Sequence, residues 1–179
     1  MKCYRLFIAV ELSNSNKKSL RENALIVKDY SSSGNFSKEE NFHITLAFLG
    51  EQQDLRIKDI KDSMDEINET PFDISITSLD SFKRDGGEIV VQKIDKSISL
   101  SNLHTNLLKA LTNKGFKLDN RPFKAHITLG REVYLEESIS YIDEEIERLN
   151  DKVDHITLFK SERINGKLTY TPIYKKYFN

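Results

Sequence analysis

HITLAFLG at residues 43–50 and HITLGREV at 126–133 share their first four residues, and the second stretch begins 83 residues after the first. Shifting the chain against itself by that distance lays Leu20 on Leu103 and Arg5 on Glu88, so elements correspond across half the chain although most residue identities do not. A repeat of this length is one supersecondary unit copied once. Two such units facing one another place their equivalent strands around a shared cleft, a natural place for paired functional groups. The fold expected is α+β: a bilobal, pseudo-two-fold duplication with two antiparallel sheets flanked by helices and a central cleft. A single domain over residues 1–179 is expected, its two lobes built from repeats of about 1–84 and 85–179.

Outward from the repeat, runs of β-branched and aromatic residues predict strands at Arg5–Glu11, His43–Leu49, Phe72–Phe82, Glu88–Ile94, His126–Gly130, Val153–Lys160 and Lys167–Tyr177. Between them, Asn16–Tyr30, Asp54–Asn68, Ile98–Lys114 and Leu135–Asn150 carry apolar residues three and four apart, as at Ile57, Ile60, Met64 and Ile67, and predict helices. Ser31–Ser33 with Gly34 reads as a polar loop, and Gly86-Gly87 as a hairpin turn. The order is strand, helix, strand, helix, strand, and then the same again.

The whole chain narrows the chemistry further. Its 179 residues suit one compact domain, and 38% hydrophobic with 31% charged residues is the composition of a globular protein. With 27 basic against 28 acidic residues there is no global positive field to hold long nucleic acid, so any such partner must be read at a local site. The single Cys3 excludes an internal disulfide and suggests a reducing compartment, and no Cys and His cluster offers a zinc site. The opening MKCYRLFIAVEL is too short for a membrane span and is interrupted too early for a signal peptide. It reads as a first strand of a cytoplasmic protein that does not engage membranes.

Side chains alternate faces along a strand, so His43 and Thr45 point one way while Ile44 and Leu46 point the other, and His126 and Thr128 repeat the arrangement. Each lobe then offers one imidazole and one hydroxyl to a common centre. An imidazole titrates near pH 6.5, so of two at neutral pH one can accept a proton while the other donates. Threonine hydroxyls would add hydrogen bonds to an anionic group as charge develops on it. A third His-x-Thr, His155-Ile-Thr157, has no histidine at its repeat mate, where residues 73–80 read DISITSLD, and it is taken as a structural or solvated decoy. His104 falls mid-helix and reads as a solvated face. Strict alternation turns Arg131 away from His126, yet the preceding Gly130 tolerates a bulge that would bring its guanidinium inward; spacing alone leaves both open. Lys175 and Lys176 read as a solvated edge. No glycine-rich phosphate loop is present, and the histidines lack the spacing of a metal pair, so no metal is expected.

These residues resemble the two-histidine phosphoesterase superfamily, and specifically its bacterial and archaeal RNA 2′,3′-cyclic phosphodiesterase branch, also called 2′-5′ RNA ligase. RLFIAVEL (5–12) is similar to the family's opening strand, NFHITLAFLGE (41–51) to its first His-x-Thr motif, NRPFKAHITLGRE (120–132) to its second, and SERINGKLTYTPI (161–173) to its C-terminal hairpin. The resemblance runs nearly end to end, and it implies a V-shaped cleft and a single phosphoesterase domain with no cofactor. It further implies a general acid at His43, a general base at His126, and phosphate contacts from Thr45, Thr128 and Arg131. Ala125 departs from the family's usual proline before the second histidine. The implied reaction is hydrolysis of a terminal 2′,3′-cyclic phosphate to a 2′-phosphomonoester, with 2′-5′ RNA ligation as a related reversal. Partners would be RNA ends, among them tRNA fragments, or small cyclic-phosphate nucleotides, met by a monomer. A nucleotide-binding or RNA-end-binding module without turnover and a phosphodiesterase acting on 2′-5′ oligonucleotides are the alternatives.

Overall fold

The computed structural model describes residues 2–179. In chain order its elements are β1 (Cys3–Glu11), α1 (Asn14–Asp29), β2 (Ser31–Phe36), β3 (His43–Gln53), α2 (Ile57–Asp65), β4 (Phe72–Arg84), β5 (Gly87–Ile94), α3 (Ile98–Asn113), β6 (His126–Leu135), α4 (Ile139–Asp143), β7 (Leu149–Val153), β8 (His155–Ile164) and β9 (Lys167–Tyr177). Short 3-10 turns at Glu39–Asn41 and Asp54–Arg56 lead into β3 and α2. Serine side chains start three of the helices: Ser13, Ser97 and Ser138 each accept the backbone N–H three residues on, which meets a donor that has no partner within the helix.

The strands form two antiparallel sheets, as the repeat predicted, ordered β3-β1-β8-β9 and β2-β6-β5-β4-β7. Laid side by side, β3, β1 and β8 of the first sheet match β6, β5 and β4 of the second, the correspondence expected from the 83-residue shift. Each sheet nevertheless takes strands from both halves of the chain. β4 lies in the second sheet and β8 in the first, so a cut near residue 84 does not separate the sheets. The helices exchange likewise: α1 packs on β2, β6 and β7, whereas α3 packs on β3.

β1 is apolar at every position from Leu6 to Val10, because both of its faces are covered. Leu6, Ile8 and Val10 join the main core with Met64, Leu103 and Leu107, while Phe7 and Ala9 face the other way and pack with Phe159 in a second, smaller cluster. Tight turns close two hairpins, Asp85-Gly86 before β5 and Asn165-Gly166 before β9; the latter pair has φ of 52° and 76°, which glycine and asparagine tolerate.

Two expectations fail locally. The polar loop at 31–34 is the edge strand β2, paired along β6 from Ser31↔Leu135 to Phe36↔Gly130. Its pairing runs through the backbone and so overrides the poor strand propensity of serine and glycine; a Cβ on Gly34 would stand 2.9 Å from the Phe36 ring. The long helix at 135–150 shrinks to α4, and the chain goes on into β7. The cause is a buried amide network. Glu147 N–H donates to Asn23 Oδ1 at 3.0 Å, and the Glu147 carbonyl accepts from Asn23 Nδ2 and Gln92 Nε2, which takes both groups away from helical partners. Among the described residues no helix is long and apolar enough to cross a membrane.

Candidate active site

His43 opens β3 at the edge of the first sheet, and His126 opens β6 inside the second. Both line one cleft of about 1220 Å³, together with Thr45, Thr128 and Arg131, so the five candidates are brought together.

The two rings are held in the same way. His43 Nδ1 lies 2.7 Å from the carbonyl oxygen of Asn41, and His126 Nδ1 lies 2.7 Å from that of Lys124. A carbonyl can only accept, so in each neutral ring Nδ1 carries the proton and Nε2 carries the lone pair. Thr45 Oγ1 is 3.0 Å from His43 Nε2, and it donates its hydroxyl proton there while that ring is neutral. Asn41 also reaches across to the last hairpin, where its amide donates to Leu168 O at 3.2 Å.

The surroundings of the two rings differ. His43 sits among aromatic rings, with centroids 5.0 Å from Phe7, 5.2 Å from Tyr170 in a perpendicular contact, and 6.5 Å from Phe159. Lost hydration in this box pushes its pKa down to about 4; the Asn41 carbonyl opposes the shift, while repulsion of a second positive charge by Arg131, His126 and Lys17 adds to it. Among the described residues His126 meets one such ring, Phe82 at 6.2 Å.

Arg131 reaches the cleft because β6 is bulged. Pairing with β5 slips twice, between Val91↔Thr128 and Val90↔Gly130 and again before Glu88↔Val133, where Glu132 has φ 52°. Leu129 and Gly130 are consequently buried in succession and Arg131 and Glu132 exposed in succession, so strict alternation is lost and the guanidinium turns inward. The bulge after Thr128 is the feature that spacing left open.

His155 lies outside the cleft lining. Its Nε2 bonds Glu11 Oε2 at 3.0 Å and its Nδ1 bonds Asp154 Oδ1 at 2.5 Å. Glu11 Oε2 also accepts from Thr157 Oγ1 at 2.5 Å and from Lys175 Nζ at 2.7 Å, so Lys175 is an ion-pair partner and not simply a solvated edge. These contacts raise the His155 pKa above 6.5, with the Glu11 hydrogen bond the largest cause, and hold the Glu11 carboxyl well below the usual carboxylate range, with the His155 hydrogen bond the largest cause there. A raised histidine pKa gives stability that is complete below 6.5 and lost as pH rises through the folded value; a depressed carboxylate pKa gives stability lost as pH falls. The cluster is therefore at full strength in mildly acidic solution. His155→Ala should lower stability by about 1–2 kcal/mol at pH 6 and by much less at pH 9, while changing turnover less than a few-fold. Equal destabilisation at both pH values would contradict the ion-pair account, and a collapse of turnover would place His155 in the site.

His104 is half-buried, not solvated: its ring stacks on Phe123 with centroids 3.9 Å apart and planes 6° from parallel, just ahead of β6. Sequence reasoning missed the aromatic box around His43. One signal was present, the unbroken apolar run of β1, since a strand apolar on both faces must cover both. It also missed Phe48, which is 49% exposed on the cleft wall, and Arg5, whose guanidinium lies 5.0 Å above that ring. Among the described residues no three His, Cys, Asp or Glu side chains converge as a metal-ligand group.

Known proteins share the sequence pattern and the fold of this chain. The sequence model of the 2′-5′ RNA ligase superfamily matches residues 22–165. An RNA 2′,3′-cyclic phosphodiesterase of Archaeoglobus fulgidus is 35% identical over 130 residues, covering 71% of this chain and 72% of the relative. One from Thermotoga maritima is 28% identical over 179 residues, covering 96% and 91%. In three dimensions the crystal structure of E. coli LigT in its apo form matches 99% of both chains with a TM-score of 0.77 at 25% identity.

Proposed function

The chain belongs to the 2′-5′ RNA ligase superfamily, and from that premise we propose that residues 1–179 act as one phosphoesterase domain that opens the 2′,3′-cyclic phosphate at an RNA end to a 2′-phosphomonoester, without a metal ion. One observation carries the reading: two imidazoles, each fixed through Nδ1 by a backbone carbonyl, share one cleft in unequal surroundings. The names of relatives sharing up to 35% identity support the substrate class.

In this mechanism neutral His126 takes a proton from water through Nε2 as the oxygen attacks phosphorus opposite O3′. The P–O3′ bond breaks, and Nε2–H of His43 gives its proton to the departing oxygen. A 2′-phosphomonoester and a free 3′-hydroxyl result. An RNA 5′-hydroxyl in place of water would form a 2′-5′ linkage by the same displacement.

His43 must be protonated to act as the acid, although its pKa near 4 leaves it neutral in the free protein at pH 7. The substrate itself offsets this. A unit negative charge about 4 Å away, at an effective dielectric constant of about 20, is worth roughly 4 kcal/mol in favour of the protonated ring, which raises its pKa toward the working pH. Binding of the phosphate therefore brings a proton with it. Once Nε2 is protonated it cannot accept from Thr45, so that hydroxyl turns to donate to a non-bridging oxygen, while Thr128 and Arg131 serve the phosphate from the other lobe.

Short RNA ending in a 2′,3′-cyclic phosphate should turn over fully in excess EDTA and give only the 2′-phosphate. Dependence on an added divalent ion, or a 3′-phosphate product, would overturn the mechanism. Tight binding without turnover would mark a binding module instead.

A further inference from the structure

The carbonyls of Asn41 and Lys124, which hold the two imidazoles, are repeat mates, since 124 minus 41 is 83. The chain leading to each is secured differently. Ahead of Asn41, Ser37 N–H donates to Leu129 O and Ser37 Oγ to Thr128 O, both at 2.8 Å, and the Asn41 amide itself donates to Leu168 O. Ahead of Lys124 such ties are missing. Phe116 N–H donates to Leu111 O and Ala125 O accepts from Ile94 N–H, but among the described residues the stretch Lys117–Lys124 makes no backbone–backbone hydrogen bond. Arg121 bonds Asp119, within the same stretch. Ala125 N–H has no acceptor among the described residues, and alanine leaves φ free where proline would fix it. The carbonyl that sets the His126 tautomer therefore ends a length of backbone held by side chains alone.

One of those side-chain contacts is aromatic. Phe123 rests partly on the main core, and His104 of α3 stacks on its outer face, centroids 3.9 Å apart and planes 6° from parallel. The same position of the repeat serves the first lobe: 104 minus 83 is 21, and Arg21 Nη1 of α1 lies 3.5 Å from Ser37 O on the way into β3. In both lobes a side chain at this helix position reaches the segment that enters the histidine strand. Neither His104 nor Phe123 lines the cleft.

We infer that His104 is a positioning residue for the catalytic base: its stack on Phe123 pins the segment that presents the Lys124 carbonyl, and so keeps the proton on Nδ1 of His126 and the lone pair on Nε2. The inference rests on the base role proposed above for His126. Which ring nitrogen carries the proton is set by the hydrogen bond the other end makes, so a carbonyl that drifts releases the tautomer. What position 104 must supply is a flat ring and not a proton. Phenylalanine should therefore serve there.

On RNA ending in a 2′,3′-cyclic phosphate, His104→Ala should lower kcat by roughly 10- to 100-fold, the cost of a misplacement of about 1 Å, with little change in KM. His104→Phe should restore most of kcat. The tautomer is read without turnover, from the nitrogen chemical shifts of the histidine rings in alkaline solution, where they are neutral. His104→Ala should mix the two tautomers at His126 and leave His43 unmixed, and His104→Phe should return His126 to the Nδ1–H form. Loss of kcat with the His126 tautomer unchanged would make His104 merely structural, and mixing at His43 as well would mean general loosening. A His104→Phe variant as slow as His104→Ala would mean that the imidazole itself is needed. Each of these overturns the inference, as does a folded His104→Ala in which neither readout moves. If His104→Ala does not fold, Phe123→Leu, which keeps apolar volume against the core and removes the other ring, must give the same tautomer mixing, and its absence overturns the inference. Failure of the unaltered protein to open the cyclic phosphate would overturn the proposed function instead, while the tautomer comparison still decides whether His104 acts on His126.

Discussion

Replacing His43 or His126 by alanine should each lower single-turnover hydrolysis of the cyclic phosphate by about 10²–10⁴-fold, the worth of one positioned proton transfer. The double variant should be little slower than the worse single one. Attack and departure occur in one displacement, so removing either proton transfer disables the unit, and losses within a unit do not add. His43→Ala also empties the box formed by Phe7, Tyr170 and Phe159, so His43→Asn, which refills part of that space, should be compared for folding by thermal melting. Retention of more than a tenth of the rate by any of these folded variants would remove that histidine from the mechanism, and full additivity in the double variant would mean that the two act in separate steps.

The parts of this account legible in sequence were those that the repeat encodes. His43, Thr45, His126 and Thr128 share a cleft because the tetrapeptide places them on one face of equivalent strands, and period-2 alternation suffices to read that. What sequence left open or missed depends on contacts between distant residues. Arg131 turns on a bulge formed against β5, which spacing permits and does not require. β2 pairs through its backbone, so its serines gave no strand pattern, and the helix expected at 135–150 was unmade by Asn23 and Gln92, far away in the chain. The unequal burial of two identical motifs is likewise invisible in the motifs: it comes from Phe7 on β1 and from Tyr170 and Phe159 on the last two strands. The exchange of β4 and β8 between the sheets leaves no trace in a repeat that reads equally well as two separate halves.

If His43 acts only as the acid, its loss should matter only when the leaving oxygen needs a proton. A 2′,3′-cyclic phosphate with sulfur in place of O3′ keeps the ring and the attacking water but departs as a thiolate, which does not need protonation. His126 is still required, because the nucleophile must lose its proton with either substrate. Each ring is fixed through Nδ1 by a backbone carbonyl, Asn41 for His43 and Lys124 for His126, and comparing the oxygen and sulfur substrates within one variant cancels whatever its lost ring did for packing. The deciding measurement is the single-turnover rate of His43→Ala and His126→Ala on the oxygen and sulfur substrates. The mechanism predicts that sulfur restores His43→Ala to within about tenfold of the unaltered protein, recovering most of the 10²–10⁴-fold loss, and leaves His126→Ala inactive. Rescue of His126→Ala and not of His43→Ala would reverse the two roles, and rescue of neither would contradict proton donation to O3′ by His43.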